Sequence, residues 1–157
     1  MAKLIANMDS LLKKLDRLGG DCRSAIKRGM KTTLQATEDD AEAFTKYGRV
    51  KATTHNEFLK DKSDVIEGRV FCNHPAVQYI EFGTGPVGAA NHSGVSPNIP
   101  LTYHPTSWAY HSEEYGWVTT KGQPAKPFLY PAAKQNESVF EGETRKELLS
   151  AIMKAGG

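Results

Sequence analysis

The stretch TKGQPAKPFLYPA, residues 120–132, decides how the C-terminal part of the chain folds, because it combines three prolines with an apolar trio. Pro124 and Pro127 fix φ and hold the chain extended after a turn, and Pro131 suits the first position of a helix. A segment restrained in this way loses little entropy on docking. It therefore presents the side chains at 128–130 in fixed directions.

The sequence leaves two roles open for this apolar trio. Phe128, Leu129 and Tyr130 either pin the C-terminal helix to a sheet or face a neighbouring subunit. Both roles hold together if Phe128 points inward and Tyr130 outward. Burying Phe128 and Leu129 is worth about 1.5–3 kcal/mol each.

At the other end of the chain, apolar residues recur at helical spacing and predict a helical region over residues 2–46. Gly19 and Gly20 interrupt the pattern at a cost of about 2 kcal/mol. The region is therefore either one helix that bends or two helices stacked end to end. The stripe consists of Leu4, Met8, Leu11, Leu15 and Leu18, then Cys22, Ile26 and Met30.

Residues 49–120 are predicted to form a small, mainly antiparallel sheet with a long loop at 83–114. AVQYIEF (76–82) carries apolar residues on both alternating faces, which is typical of a central strand, and YGWVTT (115–120) is its expected partner. The other predicted strands are RVKATT (49–54) and DVIEGRVFC (64–72).

A C-terminal helix over residues 131–155 completes the predicted order of helix, sheet and helix. This order defines an α+β fold, and the 157 residues suit a single domain over 1–157. The loop holds Tyr103, Trp108 and Tyr110, and aromatic residues are uncommon in a flexible linker. We expect the loop to pack on something, in this chain or in an assembly.

Composition argues against several classes of protein. The chain has 20 Lys and Arg against 18 Asp and Glu, a formal net charge of +2, and lacks the basic excess of a dedicated nucleic-acid binder. Its two cysteines, Cys22 and Cys72, fall in different predicted elements and suit free thiols in a reducing cytosol. We find neither a signal-peptide pattern nor an apolar run long enough for a membrane span. The expectation is a protein made in the cytoplasm without a membrane partner.

Candidate chemistry is weak by comparison. His92, His104 and His111 share the long loop, but their spacing does not match zinc sites. Cys72 ends a β-rich run, where a buried structural thiol is the ordinary role, and Glu81 lacks the second carboxylate of a glycosidase. These residues single out no catalytic residue and no metal site. Two alternatives stay open: a metal-dependent hydrolase that uses the loop histidines, and a nucleic-acid-binding module.

Two separated stretches carry a resemblance to a known family. YIEFGTG (79–85), a variable loop and GWVTTKGQPAKPFLYPA (116–132) resemble the minor tail-component family of long-tailed, siphovirus-type bacteriophages, whose members are tail-completion or head–tail joining proteins. Where members often have Thr-Gly-x-Leu-x-x-Ser, this chain reads KYGRVKAT (46–53), which leaves the start of the first strand open. The residues that match the family pattern are Tyr79, Glu81, Phe82, Gly83, Thr84, Gly85, Gln123, Pro124, Ala125, Pro127, Phe128, Pro131 and Ala132.

The resemblance implies a structural virion protein without enzyme activity or cofactor. It implies a ring of identical copies in the neck, where the tail tube or tail terminator meets the head connector, with DNA passing through without specific binding. A ring needs two unlike patches on each copy. The candidates for subunit contacts are Tyr103, Trp108, Tyr110, Lys126, Leu129 and Tyr130.

Overall fold

The computed structural model describes residues 2–5, 20–62 and 65–155 and has the predicted α+β fold. The described residues include a long helix near the N-terminus, two small antiparallel sheets, and a long helix at the end. The elements are β1 (Ala2–Ile5), α1 (Asp21–Phe44), α2 (Gly48–Lys51), β2 (Thr54–Asp61), β3 (Ile66–Cys72), α3 (Val77–Phe82), α4 (Gly85–Ala90), β4 (Trp108–Ser112), β5 (Gly116–Thr120), α5 (Leu129–Gln135) and α6 (Glu137–Ala155).

Helix α1 forms the centre of the molecule. Its apolar stripe is buried as the spacing predicts, with Cys22, Ile26 and Met30 each no more than 2% exposed. The helix runs antiparallel to α6, since Arg28 Nε donates to Glu147 and Asn136 Nδ2 donates to Asp40. Contact between these two helices, together with the sheet, closes the core around α1.

A three-stranded antiparallel sheet in the order β1-β3-β2 packs against α1. The central strand β3 buries Ile66 and Val70 in the common core. Gly68 sits under Leu34 of α1, and a Cβ added there would lie 2.5 Å from Leu34 Cδ1. The helix therefore approaches the sheet more closely than a larger residue at 68 would allow.

The second sheet is a two-stranded hairpin of β4 and β5, with Trp108 opposite Thr120 and Ser112 opposite Gly116. The prediction of a strand at 115–120 is confirmed, but its partner lies within the predicted loop 83–114 and not at 76–82. This loop also contains helix α4. What the sequence suggested as one sheet over 49–120 is therefore two separate sheets.

The prediction of a central strand at 76–82 is wrong, because the segment forms helix α3. Val77, Ile80 and Glu81 share the inward face at i, i+3 and i+4, whereas Gln78 and Tyr79 are exposed. A segment of only six residues is too short for its apolar spacing to distinguish a strand from a helix. The inward-facing residue Glu81 is also charged, so it does not appear as part of an apolar helical face.

The prediction of a strand at 49–54 is also wrong over most of its length. Residues Gly48–Lys51 form a single helical turn that buries Val50, and strand β2 begins only at Thr54. The hydroxyl groups of Thr53 and Thr54 both donate to the carbonyl of Val50. These side-chain hydrogen bonds stabilise the turn locally. The strand predicted at 64–72 is confirmed as β3, Ile66–Cys72.

The two terminal helices differ from their predicted bounds. Residues Ala2–Ile5 form a strand, not the start of a helix over 2–46, and α1 begins directly after Gly20. The stripe residues Met8, Leu11, Leu15 and Leu18 lie outside the described residues. The helix predicted at 131–155 is two helices that meet at Asn136, and the first already begins at Leu129. None of the helices described is long and apolar enough to cross a bilayer.

Candidate assembly site

Glu81 joins the two stretches of sequence that carry the family resemblance. Its carboxylate accepts hydrogen bonds from the backbone N–H groups of Phe128, Leu129 and Tyr130, at 2.8, 3.1 and 2.9 Å. These amides open helix α5, where no intrahelical carbonyl is available to them. The glutamate is only 3% exposed, so one buried acceptor satisfies three backbone donors, of which those of Phe128 and Leu129 are buried.

Pro131 completes this arrangement, although it is the third residue of α5 and not the first as predicted. Proline has no N–H group, so the next position in the first turn needs no acceptor. The sequence singled out Glu81 only as a carboxylate without the partner that a glycosidase needs. It is instead the buried group that sets where the last helices begin.

A second set of hydrogen bonds joins the same two stretches beside Glu81. Thr84 and Gln123 form an antiparallel bridge, with N···O distances of 2.9 and 3.2 Å between their backbones. The Gln123 side chain donates to the Tyr79 carbonyl, and the Lys126 N–H donates to the Ile80 carbonyl. We call this contact, residues 79–85 with residues 122–130, the motif junction.

Glycine is required at the motif junction for steric reasons. Gly122 has φ of 90°, and a Cβ added there would lie 1.9 Å from the Thr84 carbonyl oxygen. Gly83 and Gly85 also have positive φ, at the point where the chain leaves helix α3. The glycines allow two extended backbones to approach closely.

The structure assigns different environments to the apolar trio of residues 128–130. Phe128 is fully buried at 0% exposure and Leu129 is 5% exposed, whereas Tyr130 is half-buried. Leu129 belongs to the core of its own chain, so it offers little surface to a second copy. The trio mainly pins the last helices to the rest of the fold, and only Tyr130 keeps a partly accessible surface.

The hairpin of β4 and β5 stands at the edge of the motif junction and exposes aromatic side chains. Trp108 lies at its base, half-buried, with its ring packed over Gly85. Tyr110 is 48% exposed, Tyr115 73% and Trp117 77%. Within the part of the chain that the structure describes, β4 and β5 pair only with each other. An isolated hairpin is at best marginally stable in water.

Tyr115 and Trp117 were not among the candidates for subunit contacts, because the strand at 115–120 was expected inside a sheet. A signal for the hairpin was present in the sequence. Two β-rich runs, WAYHS (108–112) and GWVTT (116–120), are separated by three residues, and the second run begins with Gly116. Gly116 has the positive φ typical of such a turn, and the Ser112 hydroxyl accepts the N–H groups of Glu114 and Tyr115.

Tyr103 and Lys126, the remaining candidates for subunit contacts, differ in their surroundings. Tyr103 is half-buried and donates its hydroxyl to the Phe82 carbonyl at 2.8 Å, and burial raises the pKa of this phenol. The exposed Lys126 places its ammonium 3.1 Å from the Tyr47 hydroxyl. Tyr47 and the exposed Tyr79 border a groove of about 510 Å³. Tyr103 therefore supports the fold, whereas Lys126 lies on an accessible surface.

The loop histidines are distributed singly. His104 packs edge-on against Trp108 and His111 against Trp117, each with ring centroids 5.6 Å apart. His92 lies beside Tyr103. Among the residues described, no three His, Cys, Asp or Glu side chains converge as metal ligands would.

Comparison with known proteins gives no further identification: no family model, curated protein or solved structure matches this chain.

Proposed function

We propose that this chain is a structural virion protein that completes the tail and joins it to the head in a long-tailed bacteriophage. In this proposal it assembles as a ring of identical copies between the tail tube or tail terminator and the head connector. DNA passes through the ring without specific binding. The chain is made in the host cytoplasm and ends in the neck of the virion.

The observation that carries the proposal is the motif junction. The two stretches that resemble the tail-component family contact each other although Glu81 and Phe128 are 47 positions apart in the sequence. Their residues form one hydrogen-bonded unit around a buried carboxylate. Because residues 79–85 and 122–130 form one structural unit, the family pattern that they share has a physical reason.

The exposed hairpin supports an assembly role for that unit. The motif junction holds the base of the hairpin, while Tyr115 and Trp117 remain more than 70% exposed. Aromatic side chains are enriched at the centres of protein interfaces, where they contribute large buried areas. A formal net charge of +2 also suits a conduit, since a strongly basic lining would retain DNA.

The proposal is tested by imaging tails produced with and without this protein in negative stain. With the protein we expect a ring at the head-proximal end of each tail, and without it we expect tails and heads that fail to join. A purified protein that is monomeric in light scattering is compatible with this role, since a neck protein can await its partner. Complete and joined particles formed in its absence would refute the proposal.

A further inference from the structure

Helix α6 carries an unusual apolar face that points away from the core. Thr144 and Ala151 mark the buried side of the helix, at 6% and 5% exposure. Leu149 and Met153, four residues apart, lie on the opposite side at 55% and 77% exposure. Ile152, next to the buried Ala151 in the sequence, is 43% exposed. We call the surface formed by Gly142, Arg145, Lys146, Leu149, Ser150 and Met153, with Lys154 beside it, the outer face of α6.

The charge of this outer face is positive. Arg145, Lys146 and Lys154 border Leu149 and Met153. No carboxylate is among the residues that form the outer face of α6. Lys146 forms an exposed ion pair with Glu143 at 3.3 Å. Arg145 and Lys154 form no ion pair within residues 20–62 and 65–155. The surface therefore suits a partner that combines apolar side chains with negative charge.

The tip of the β4–β5 hairpin has that chemistry. Glu113 and Glu114 form the turn, and both are exposed without an ion pair to any residue that the structure describes. Tyr115 and Trp117 follow directly and are the most exposed aromatic side chains described. A hydrogen bond to Glu114 raises the pKa of the Tyr115 phenol.

We propose that the outer face of α6 binds the hairpin tip of a second copy of this chain. Within one copy both surfaces remain exposed, so neither covers the other. The two patches are unlike each other, and a contact between unlike patches propagates head to tail and closes into a ring when the rotation allows. The inference rests on the proposed ring, and it names the two surfaces that such a ring would join.

Cross-linking between introduced cysteines tests this contact directly. Ser150→Cys on the outer face and Glu114→Cys at the hairpin tip are made in separate copies, both with Cys72→Ala so that the remaining native thiol, Cys22, is buried. Equal amounts are mixed with a short bismaleimide, both in solution at high concentration and on tails. Because a bound pair has a high effective concentration, we expect dimers of unlike copies at about tenfold the yield of a control pair. The control pair is Glu114→Cys with Lys31→Cys, an exposed position on α1.

Charge reversal provides an independent readout. Glu113→Lys with Glu114→Lys, or Arg145→Glu with Lys154→Glu, places like charges at the contact and should weaken assembly about tenfold or more. All four substitutions in one chain restore the attraction with opposite sign. We expect this fourfold variant to regain assembly, whereas a merely destabilised fold would not recover.

The possible outcomes separate this inference from the proposed function. If rings form on tails but the Glu114→Cys and Ser150→Cys pair gives no more dimer than the control pair, the inference is wrong and the proposed function stands. Cross-linking of Ser150→Cys to a cysteine at 6–19 of the same chain would also overturn it, because the chain's own N-terminal segment would occupy the outer face. If the protein assembles neither alone nor on tails, both the proposed function and the proposed contact are wrong.

Discussion

At the scale of single residues, the buried carboxylate of Glu81 contributes most to the organisation of the motif junction. It accepts three backbone donors from the first turn of α5. Glu81→Gln retains the shape of the side chain but replaces one acceptor oxygen by an NH2 group that faces an N–H donor. We expect the free energy of unfolding to fall by about 1.5–3 kcal/mol, because hydrogen bonds to a charged group are lost.

Urea denaturation of the purified variant measures this loss. The matched control is Glu141→Gln on α6, an exposed carboxylate whose replacement should change stability by less than about 0.5 kcal/mol. Equal midpoints for Glu81→Gln and the unmodified protein would show that the carboxylate does not support the junction.

Gly122 gives a second residue-scale prediction, on steric grounds. Gly122→Ala would bring a Cβ within 1.9 Å of the Thr84 carbonyl oxygen at a φ of 90°, so the bridge to Thr84 has to open. We expect the free energy of unfolding to fall by about 1–3 kcal/mol. Thermal unfolding should show a clear decrease in Tm.

Gly142→Ala is the natural comparison for Gly122→Ala. Gly142 lies in α6, and a Cβ added there meets nothing within 4 Å. Alanine is favoured over glycine in a helix interior by about 0.5–1 kcal/mol, so this variant should be stabilised. We therefore expect Tm to decrease for Gly122→Ala and to increase for Gly142→Ala. A change of Tm in the same direction for both variants would contradict this explanation.

At the scale of elements, the long helices were predictable because their buried stripes extend over several turns. Cys22, Ile26 and Met30 identify the buried side of α1 from spacing alone. For α6 the sequence predicts a helix but not its buried side, since Ile152 is exposed while the neighbouring Ala151 is buried. Apolar side chains lie on both sides of α6, so spacing alone does not determine which side meets α1.

Short elements were harder to predict, for physical reasons that differ from one element to the next. Strand β2, THNEFLKD, was missed because it is an edge strand whose later residues are exposed, and it carries a register shift between Phe58 and Lys60. Helix α3 was read as a strand because Glu81 points inward. The role of Glu81 depends on amides 47 or more positions away, and local patterns carry no information about such a contact.

The hairpin leads to an element-scale prediction that separates folding from assembly. Trp117→Ala removes a side chain that is 77% exposed, so stability should change by less than about 0.5 kcal/mol while ring formation decreases. Phe128→Ala removes a fully buried ring and should cost about 3–5 kcal/mol. Urea denaturation and negative-stain imaging of both variants distinguish the two effects. Normal rings from Trp117→Ala would argue against the hairpin as a subunit contact.

The ion pairs of Asp61 predict how the contact between β2 and α1 depends on pH. Hydrogen bonds from Lys27 and then Arg23 hold the pKa of Asp61 below its ordinary value of 3.8. A lowered pKa in the folded state stabilises the protein above the ordinary pKa, and this contribution is lost as the pH falls through the lowered value. Asp61→Asn should therefore be less stable than the unmodified protein near neutral pH, and the difference should shrink in acid.

Urea midpoints at about pH 7 and about pH 2 measure this difference. The exposed Glu113→Gln variant at the hairpin turn serves as the control, since its carboxylate forms no ion pair with the residues described. A gap between Asp61→Asn and the unmodified protein that stays constant across this range would mean that the ion pairs do not contribute.

At the scale of the whole molecule, the described elements divide into a folded body and surfaces that the body leaves open. The body is α1 with α6 and the three-stranded sheet, and the motif junction fastens the last helices to it. The open surfaces are the aromatic hairpin and the outer face of α6. Unlike surfaces on one small chain are what a closed ring requires, which connects this architecture to the proposed neck protein.

The most direct measurement of the central claim is negative-stain imaging of tails assembled with this protein, without it, and without it but with purified protein added back. We expect a ring at the head-proximal tail end in the first sample, unjoined heads and tails in the second, and recovery of the ring and of joined particles in the third. Joined particles in the second sample at the frequency of the first would contradict it.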